Sequence, residues 1–191
     1  MTDTPEIRGL GLRLRGWRAG DEGDAAAVLR GLTDPEFLRW NTPLTAVDDL
    51  AGAHAFLRKR QELLESGEGV SCCVTDEDTG EVLGHIGFSA ITPAFRTAIV
   101  GYWVLPEARG RRVATRALCL GSRLAFGELG LYRLELGHAL GHEVSCRVAE
   151  RGGYPYEGTL RGAMFEAGRQ DAFRDVHLHA RLASDPEPEV A

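Results

Sequence analysis

The sequence predicts one mixed α/β (α+β) domain, with a central sheet of about seven strands flanked by about four helices. Three observations carry that expectation. Strand-length runs with period-two alternation are interleaved with longer runs of helical period along the chain. At 191 residues, 43% hydrophobic and 26% charged, the chain suits a soluble single domain with a substantial core. No internal repeat and no Pro/Gly/Ser-rich linker divides it.

The elements follow in order. Leu10, Leu12 and Leu14 alternate with charged neighbours, predicting a half-buried strand over residues 10–17. Asp21 or Asp24 caps a helix that runs to Leu32, and Thr33-Asp-Pro-Glu36 breaks it. Phe37, Leu38 and Trp40 follow in a loop or short helix. Between Asp48 and Glu65, Leu50, Ala53, Leu57 and Leu64 mark one apolar helix face, ended by Ser66-Gly67. Val70–Thr75 and Glu81–Ala90 read as a hairpin about the Asp76–Gly80 turn. A strand over 98–104 leads into a helix reaching about Phe126. Leu131–Leu136 alternates as a further strand, and His142–Arg151 is helical up to Gly152-Gly153. Tyr156–Met164 and Phe173–Leu182 close the sheet as two strands about Glu166–Arg169.

Charge and cysteine usage narrow the function classes. A formal net charge of −6 argues against a general nucleic-acid binder. No apolar run approaches the ~18 residues of a membrane span, and the polar N-terminus has no signal-peptide core, so the cytoplasm is the expected compartment. The four cysteines have no C-x-x-C or framework spacing and read as buried free thiols. The acidic, proline-rich segment 184–191 is expected to be a disordered tail beyond a domain spanning 1–183.

One stretch sits badly with the acidic balance. In VLPEARGRRVATRA, residues 104–117, Arg109, Arg111 and Arg112 crowd around Gly110 where a strand turns into a helix. A helix N-terminus already carries partial positive charge, so cations there are unfavourable by a few tenths of a kcal/mol each. A bound anion reverses that sign, because helix N–H groups and guanidiniums both point at it. Without an anion, the arginines are a solvated loop.

Arg109, Arg112 and Ala114 fill three places of a known phosphate turn, Arg/Gln-x-x-Gly-x-Gly/Ala, with arginine where the middle glycine usually stands. Gly101-Tyr-Trp-Val-Leu-Pro106 precedes the turn. His142, Ser145, Val148, Glu150, Gly153 and Tyr154 follow at the spacing of an Asn-x-x-Ser helix closed by Gly-aromatic, with histidine in place of the asparagine. In this ordered combination the chain resembles the GNAT superfamily of acyl-CoA-dependent N-acyltransferases, most of all the branch that acetylates ribosomal-protein N-termini.

The resemblance implies acetyl-CoA as acyl-donor cosubstrate, its diphosphate cradled by Arg109, Gly110, Arg111, Arg112, Val113, Ala114 and Thr115. It implies that the backbone N–H of Val104 or Leu105 holds the thioester carbonyl, and that Ser145 supplies a proton to the departing thiolate; as a bare sequence feature Ser145 reads equally as a helix cap. The glutamate that serves many relatives as base is replaced by Ile99, leaving His142, with His138, His85 and Glu135 as further candidates. Phe37, Trp40 and Asn41 match the wall that faces the acceptor amine, although core packing explains the two aromatics as well. The missing carboxylate favours a weakly basic acceptor, a peptide or protein N-terminal α-amine, over lysine. A non-catalytic acyl-CoA sensor or partner-binding module, another acyl group and a small-molecule amine are the alternative readings. Relatives are often dimers. No metal is expected: H-E-x-x-H is absent, and His177 and His179, on one strand face, lack a third ligand.

Overall fold

A computed structural model describes residues 4–189; residues 1–3 of the expected domain and 190–191 of the expected tail lie outside the described residues. Eight strands form one sheet: β1 (Ile7–Gly9), β2 (Leu12–Gly16), β3 (Val70–Asp76), β4 (Val82–Thr92), β5 (Thr97–Val104), β6 (Arg133–Ala139), β7 (Tyr156–Glu166) and β8 (Arg169–Leu182). Their spatial order is β1-β2-β3-β4-β5-β6-β8-β7. All neighbours are antiparallel except the central pair β5 and β6. The helices are α1 (Glu22–Thr33), α2 (Pro35–Trp40), α3 (Leu50–Ser66), α4 (Val113–Gly127) and α5 (Glu143–Arg151), with a 3-10 turn at Pro106–Ala108.

The predicted architecture holds, with one more strand and one more helix among the described residues. The first strand is a hairpin: Leu10 (φ +57°) and Gly11 (φ +69°) make the turn, so the predicted run 10–17 shortens to β2 and a three-residue strand precedes it. The added helix is α2, which settles the segment expected as a loop or short helix. Asp34 accepts the Phe37 N–H at 2.9 Å and caps it, and Pro35 occupies its first position, where the missing N–H costs nothing.

Helices cover both sheet faces, each over its own core. Leu118, Leu120 and Leu124 of α4 pack on Leu14, Ile86, Phe88 and Val100. On the opposite face α1 and α3 bury Val28, Leu32, Ala53 and Leu57 against Trp103 and Leu105. Strand alternation thus sends Trp103 to one core and its neighbours Tyr102 and Val104 towards the other. A buried ion cluster ties α1 to β2. Asp24, fully buried, accepts two bonds from Arg15 (2.8 and 2.7 Å), one from the Arg18 N–H (2.9 Å) and two from the Arg18 guanidinium (2.8 and 3.3 Å).

The functional feature of the sheet is a split. β5 and β6 pair only over Thr97–Ile99 and Arg133–Glu135. Beyond that point β6 continues beside β8, up to Ala139 opposite Val176, while β5 stays on β4, up to Val104 opposite Gly84. The two central strands therefore diverge and leave a gap between their C-terminal halves.

Candidate active site

The gap opens into a cleft of about 420 Å³, walled by the C-terminal end of β5, the arginine turn, the start of α4, one face of α5, and α2. Of the residues predicted for the site, Val104, Arg109, Gly110, Arg112, Val113, Ala114 and Thr115 line this cleft, together with Phe37, Trp40, Asn41, His142 and Ser145. Two predicted residues do not. Leu105 is fully buried in the α1–α3 core, and its N–H donates to the Leu83 carbonyl at 2.9 Å. Arg111 points away, its guanidinium 3.8 Å from the Asp76 carboxylate.

The fate of Leu105 singles out Val104. Successive N–H groups of a strand point to opposite sides. Since Leu105 bonds back towards β4, the Val104 N–H is directed away from β4, into the gap that β6 has vacated. It is the backbone donor a carbonyl lying along the split would meet.

The turn itself is built for close approach to its backbone. Gly110 has φ +74°, and Arg112, the residue before α4, sits in the left-handed region at φ +56° and ψ +19°. No side chain caps α4, and its first intrahelical bond to an N–H is from Arg116 to Arg112 O (3.1 Å), so the N–H groups of Val113, Ala114 and Thr115 have no intrahelical acceptor. Val113, Ala114 and Thr115 line the same cleft as Gly110. The missing middle glycine therefore stands at a position that does need positive φ, at a cost of about 1–2 kcal/mol for an L-residue. Arg112→Gly is expected to raise the unfolding free energy by about 0.5–1 kcal/mol, the relief being partly offset by the freer unfolded chain. Denaturant unfolding checks this; a loss of stability would mean that side-chain contacts of Arg112 outweigh the strain.

Arg109 is tied down by a partner the sequence did not reveal. Its guanidinium forms an ion pair with Asp34, the α2 cap, which is almost fully buried. Burial raises the Asp34 carboxyl pKa, but the bonds from Arg109 and from the Phe37 N–H outweigh it and hold the group below the usual carboxylate range. Part of the crowded positive charge is thus neutralised within the chain, and the same contact sets α2 against the turn. α2 in turn presents Phe37 and Trp40 to the cleft, while the Asn41 amide caps its end through the Phe37 carbonyl (2.9 Å).

Ser145 is not a helix cap. His142 holds the N-cap position of α5, and the buried Ser145 lies one turn in, its Oγ 2.8 Å from the Tyr102 hydroxyl. Tyr102, passed over as a site residue, thereby reaches α5 across the split. Burial pushes its phenol up to about 12, against the opposing effect of the Ser145 bond. The signal available in the sequence was strand alternation, which turns Tyr102 opposite to the core residue Trp103. Val148 of the helix motif also lines the cleft, as do Arg151 and Glu36, which carried no prior signal.

The proposed bases fare differently. The His142 ring lies flat on Trp40, with centroids 4.3 Å apart and planes 2° apart, and burial lowers its pKa to about 4. It is a neutral stacking partner that holds a proton poorly at neutral pH. His85 accepts the Trp17 indole N–H on Nδ1 at 3.0 Å, and burial lowers its pKa to about 3. His138 is buried and lines no part of the cleft, and Glu135 is paired with Arg133 at 2.9 Å.

A second cavity, of about 790 Å³, lies between α3, the 42–47 segment and the sheet. Phe37, Asn41, Tyr102 and Trp103 border both cavities, so the two meet at the C-terminal end of β5, beside Val104. Ile99 borders neither. Among the described residues no helix is long and apolar enough to cross a membrane.

Comparison with known proteins agrees with this geometry. The model of the acetyltransferase (GNAT) domain family matches residues 12–155. The chain is 27% identical over 145 residues to the uncharacterized N-acetyltransferase YoaA of Bacillus subtilis, covering 76% of this chain and 81% of that one. It is 33% identical over 104 residues to the ribosomal-protein-serine acetyltransferase of Escherichia coli, covering 53% and 55%. Among solved structures, RimJ of Mycobacterium smegmatis in complex with CoA-disulfide superposes with a TM-score of 0.80 at 25% identity, over 94% of this chain and 87% of that one. The matched span takes in β2 through α5, with the split, the turn and Ser145, and the chain belongs to the GNAT family of acetyltransferases, which take the acetyl group from acetyl-CoA.

Proposed function

We propose that the chain acetylates the N-terminal α-amine of a protein or peptide. In this reading the diphosphate of acetyl-CoA rests on the N–H groups of Gly110 to Thr115, and the thioester lies along the split with its carbonyl on the Val104 N–H. The amine enters from the second cavity and attacks where the cavities meet. A tetrahedral intermediate collapses, the C–S bond breaks, and the thiolate leaves beside Tyr102 and Ser145, which donate a hydrogen bond to it.

The observation that carries the choice of amine is that, among the described residues, the candidate bases lining the cleft are engaged: Glu36 accepts the Trp40 indole N–H at 2.8 Å and the His142 ring is stacked on Trp40. The usual glutamate position holds Ile99, which borders neither cavity, and the nitrogen of His85 that meets Trp17 is already engaged. An α-amine with pKa near 8 has an appreciable neutral fraction at pH 7–8, whereas lysine at about 10.4 does not, and after attack the adduct yields its second proton to water. The kinship to a ribosomal-protein-serine acetyltransferase supports a protein acceptor.

Peptides bearing one lysine, with free or blocked N-termini, test this at pH 7.5 with acetyl-CoA. Acetylation of the α-amine is expected to exceed that of lysine by about two orders of magnitude, the ratio of their neutral fractions, and blocking is expected to abolish thiol release. Acetylation confined to lysine, in free and blocked peptides alike, would sink this reading.

A further inference from the structure

Beneath α5, two strands and a helix bring histidines and a cysteine together. His138 of β6 stands opposite His177 in the β6–β8 register, and His179 follows two residues on, on the same face. α5 lays Cys146 over them. Ligand atoms of His138, His177 and Cys146 lie within 4.8 Å of one another, and His179 Nε2 is 3.5 Å from Cys146 Sγ. His138 and His179 ring centroids are 5.2 Å apart. None of the four borders either cavity.

The hydrogen bonds fix which nitrogens are available. His138 Nδ1 meets the Ala139 carbonyl at 3.1 Å and His179 Nδ1 meets the Tyr154 carbonyl at 3.0 Å. A carbonyl only accepts, so both Nδ1 atoms carry the proton and both Nε2 atoms present a lone pair. His179 Nε2 can accept the Cys146 S–H. His138 Nε2 has no hydrogen-bond partner although the residue is only 5% exposed. A buried acceptor without a donor is costly and calls for an occupant. Imidazoles whose other N–H is anchored on backbone carbonyls are also the arrangement seen at protein metal sites, where that bond fixes tautomer and ring direction.

We propose that His138, Cys146, His177 and His179 bind one divalent transition-metal ion of the Zn²⁺ type. Three imidazoles and one thiolate suit a tetrahedral, borderline-soft ion rather than Mg²⁺ or Ca²⁺. Bonds of about 2.0–2.1 Å to nitrogen and 2.3 Å to sulfur require ligand atoms about 3.3–3.7 Å apart, so His138, Cys146 and His177 close by roughly 1 Å through side-chain rotation, and His179, with Nε2 already 3.5 Å from Cys146 Sγ, turns in as the fourth ligand. Binding releases the Cys146 proton to solvent and leaves the imidazoles neutral. The ion would fasten α5 to β6 and β8 at the residue next to Ser145. This site stands independently of the acceptor and of acetyl transfer itself.

The test uses the full chain, stripped with a chelator and titrated with Co²⁺ and then Zn²⁺. One Co²⁺ per chain is expected, with the intense visible bands of a tetrahedral site and a thiolate-to-metal charge-transfer band, all displaced by Zn²⁺. Cys146→Ser is expected to lose the charge-transfer band, and both it and His138→Gln to bind at least about tenfold more weakly. A His54→Gln control, outside the cluster, is expected to bind as the parent does. Zn²⁺ should raise the melting midpoint of the parent but not of Cys146→Ser. Cys146 is partly exposed, so its serine variant remains informative even if His138→Gln fails to fold. No saturable binding by the parent, or binding undiminished in Cys146→Ser with no charge-transfer band, overturns the site.

Discussion

Tyr102→Phe is expected to lower kcat by about 10²–10³-fold, the loss typical of removing one hydrogen-bond donor from a developing anion. KM for acetyl-CoA should change little, because phenylalanine keeps the half-buried ring between β5 and α5 and the phosphate turn is untouched. The departing thiolate forms only as the tetrahedral intermediate collapses, so a donor aimed at it acts mainly on the transition state. With its phenol pushed up to about 12, Tyr102 keeps its proton through neutral pH and adds no ionisation to the activity profile there. Ser145 shares that proton at 2.8 Å. If the two act as one unit, Ser145→Ala costs a similar factor and the double variant little more than either alone. Steady-state kinetics of the three variants checks this. An unchanged kcat in Tyr102→Phe would remove the hydroxyl from the mechanism.

Asp24→Asn is expected to destabilise the fold by about 3 kcal/mol, the cost of breaking one side of a buried ion pair. The asparagine cannot offer two anionic oxygens to both Arg15 and Arg18, and Arg15 has a side chain only 13% exposed. Burial alone would raise the Asp24 pKa, yet the bonds from Arg15 and Arg18 bring it down to about 2 from 3.8. A depressed carboxylate stabilises the fold above its unfolded pKa and loses that contribution as pH falls through the folded value. The parent should therefore lose roughly 2 kcal/mol between about pH 4 and pH 2 through this group. Asp24→Asn should be less stable at pH 7 and show a shallower decline over the same window. Urea unfolding across that range measures both, and parallel acid limbs would contradict the assignment.

These expectations show which parts of the molecule were legible in the sequence. Element order was readable because each run carried its own period, and the arginine turn because charge and position conflicted there. The elements missed or left open are those with too few residues to show a period: β1, with three, was not foreseen, and α2, with six, stood as a loop or short helix. In both places local turn chemistry was present, Gly9-Leu-Gly11 for the hairpin and Asp34-Pro35 for the capped helix. Partners distant in sequence stayed hidden. Nothing near Arg109 announces Asp34, 75 residues away, or brings Tyr102 to Ser145, 43 residues on. Leu105 was eliminated only by a hydrogen bond to Leu83, a fact of register. The cluster around Cys146 was half visible as His177 and His179, and strand pairing and helix packing supply the rest.

The central claim is that the split beside β5 and the turn after it form one continuous seat for acetyl-CoA. A crystal structure of the chain with acetyl-CoA tests it most directly. The account predicts the diphosphate on the N–H groups of Gly110 to Thr115, the thioester carbonyl within hydrogen-bond distance of the Val104 N–H, and the sulfur beside Tyr102. A cofactor bound elsewhere, with the turn and the split empty, would contradict it.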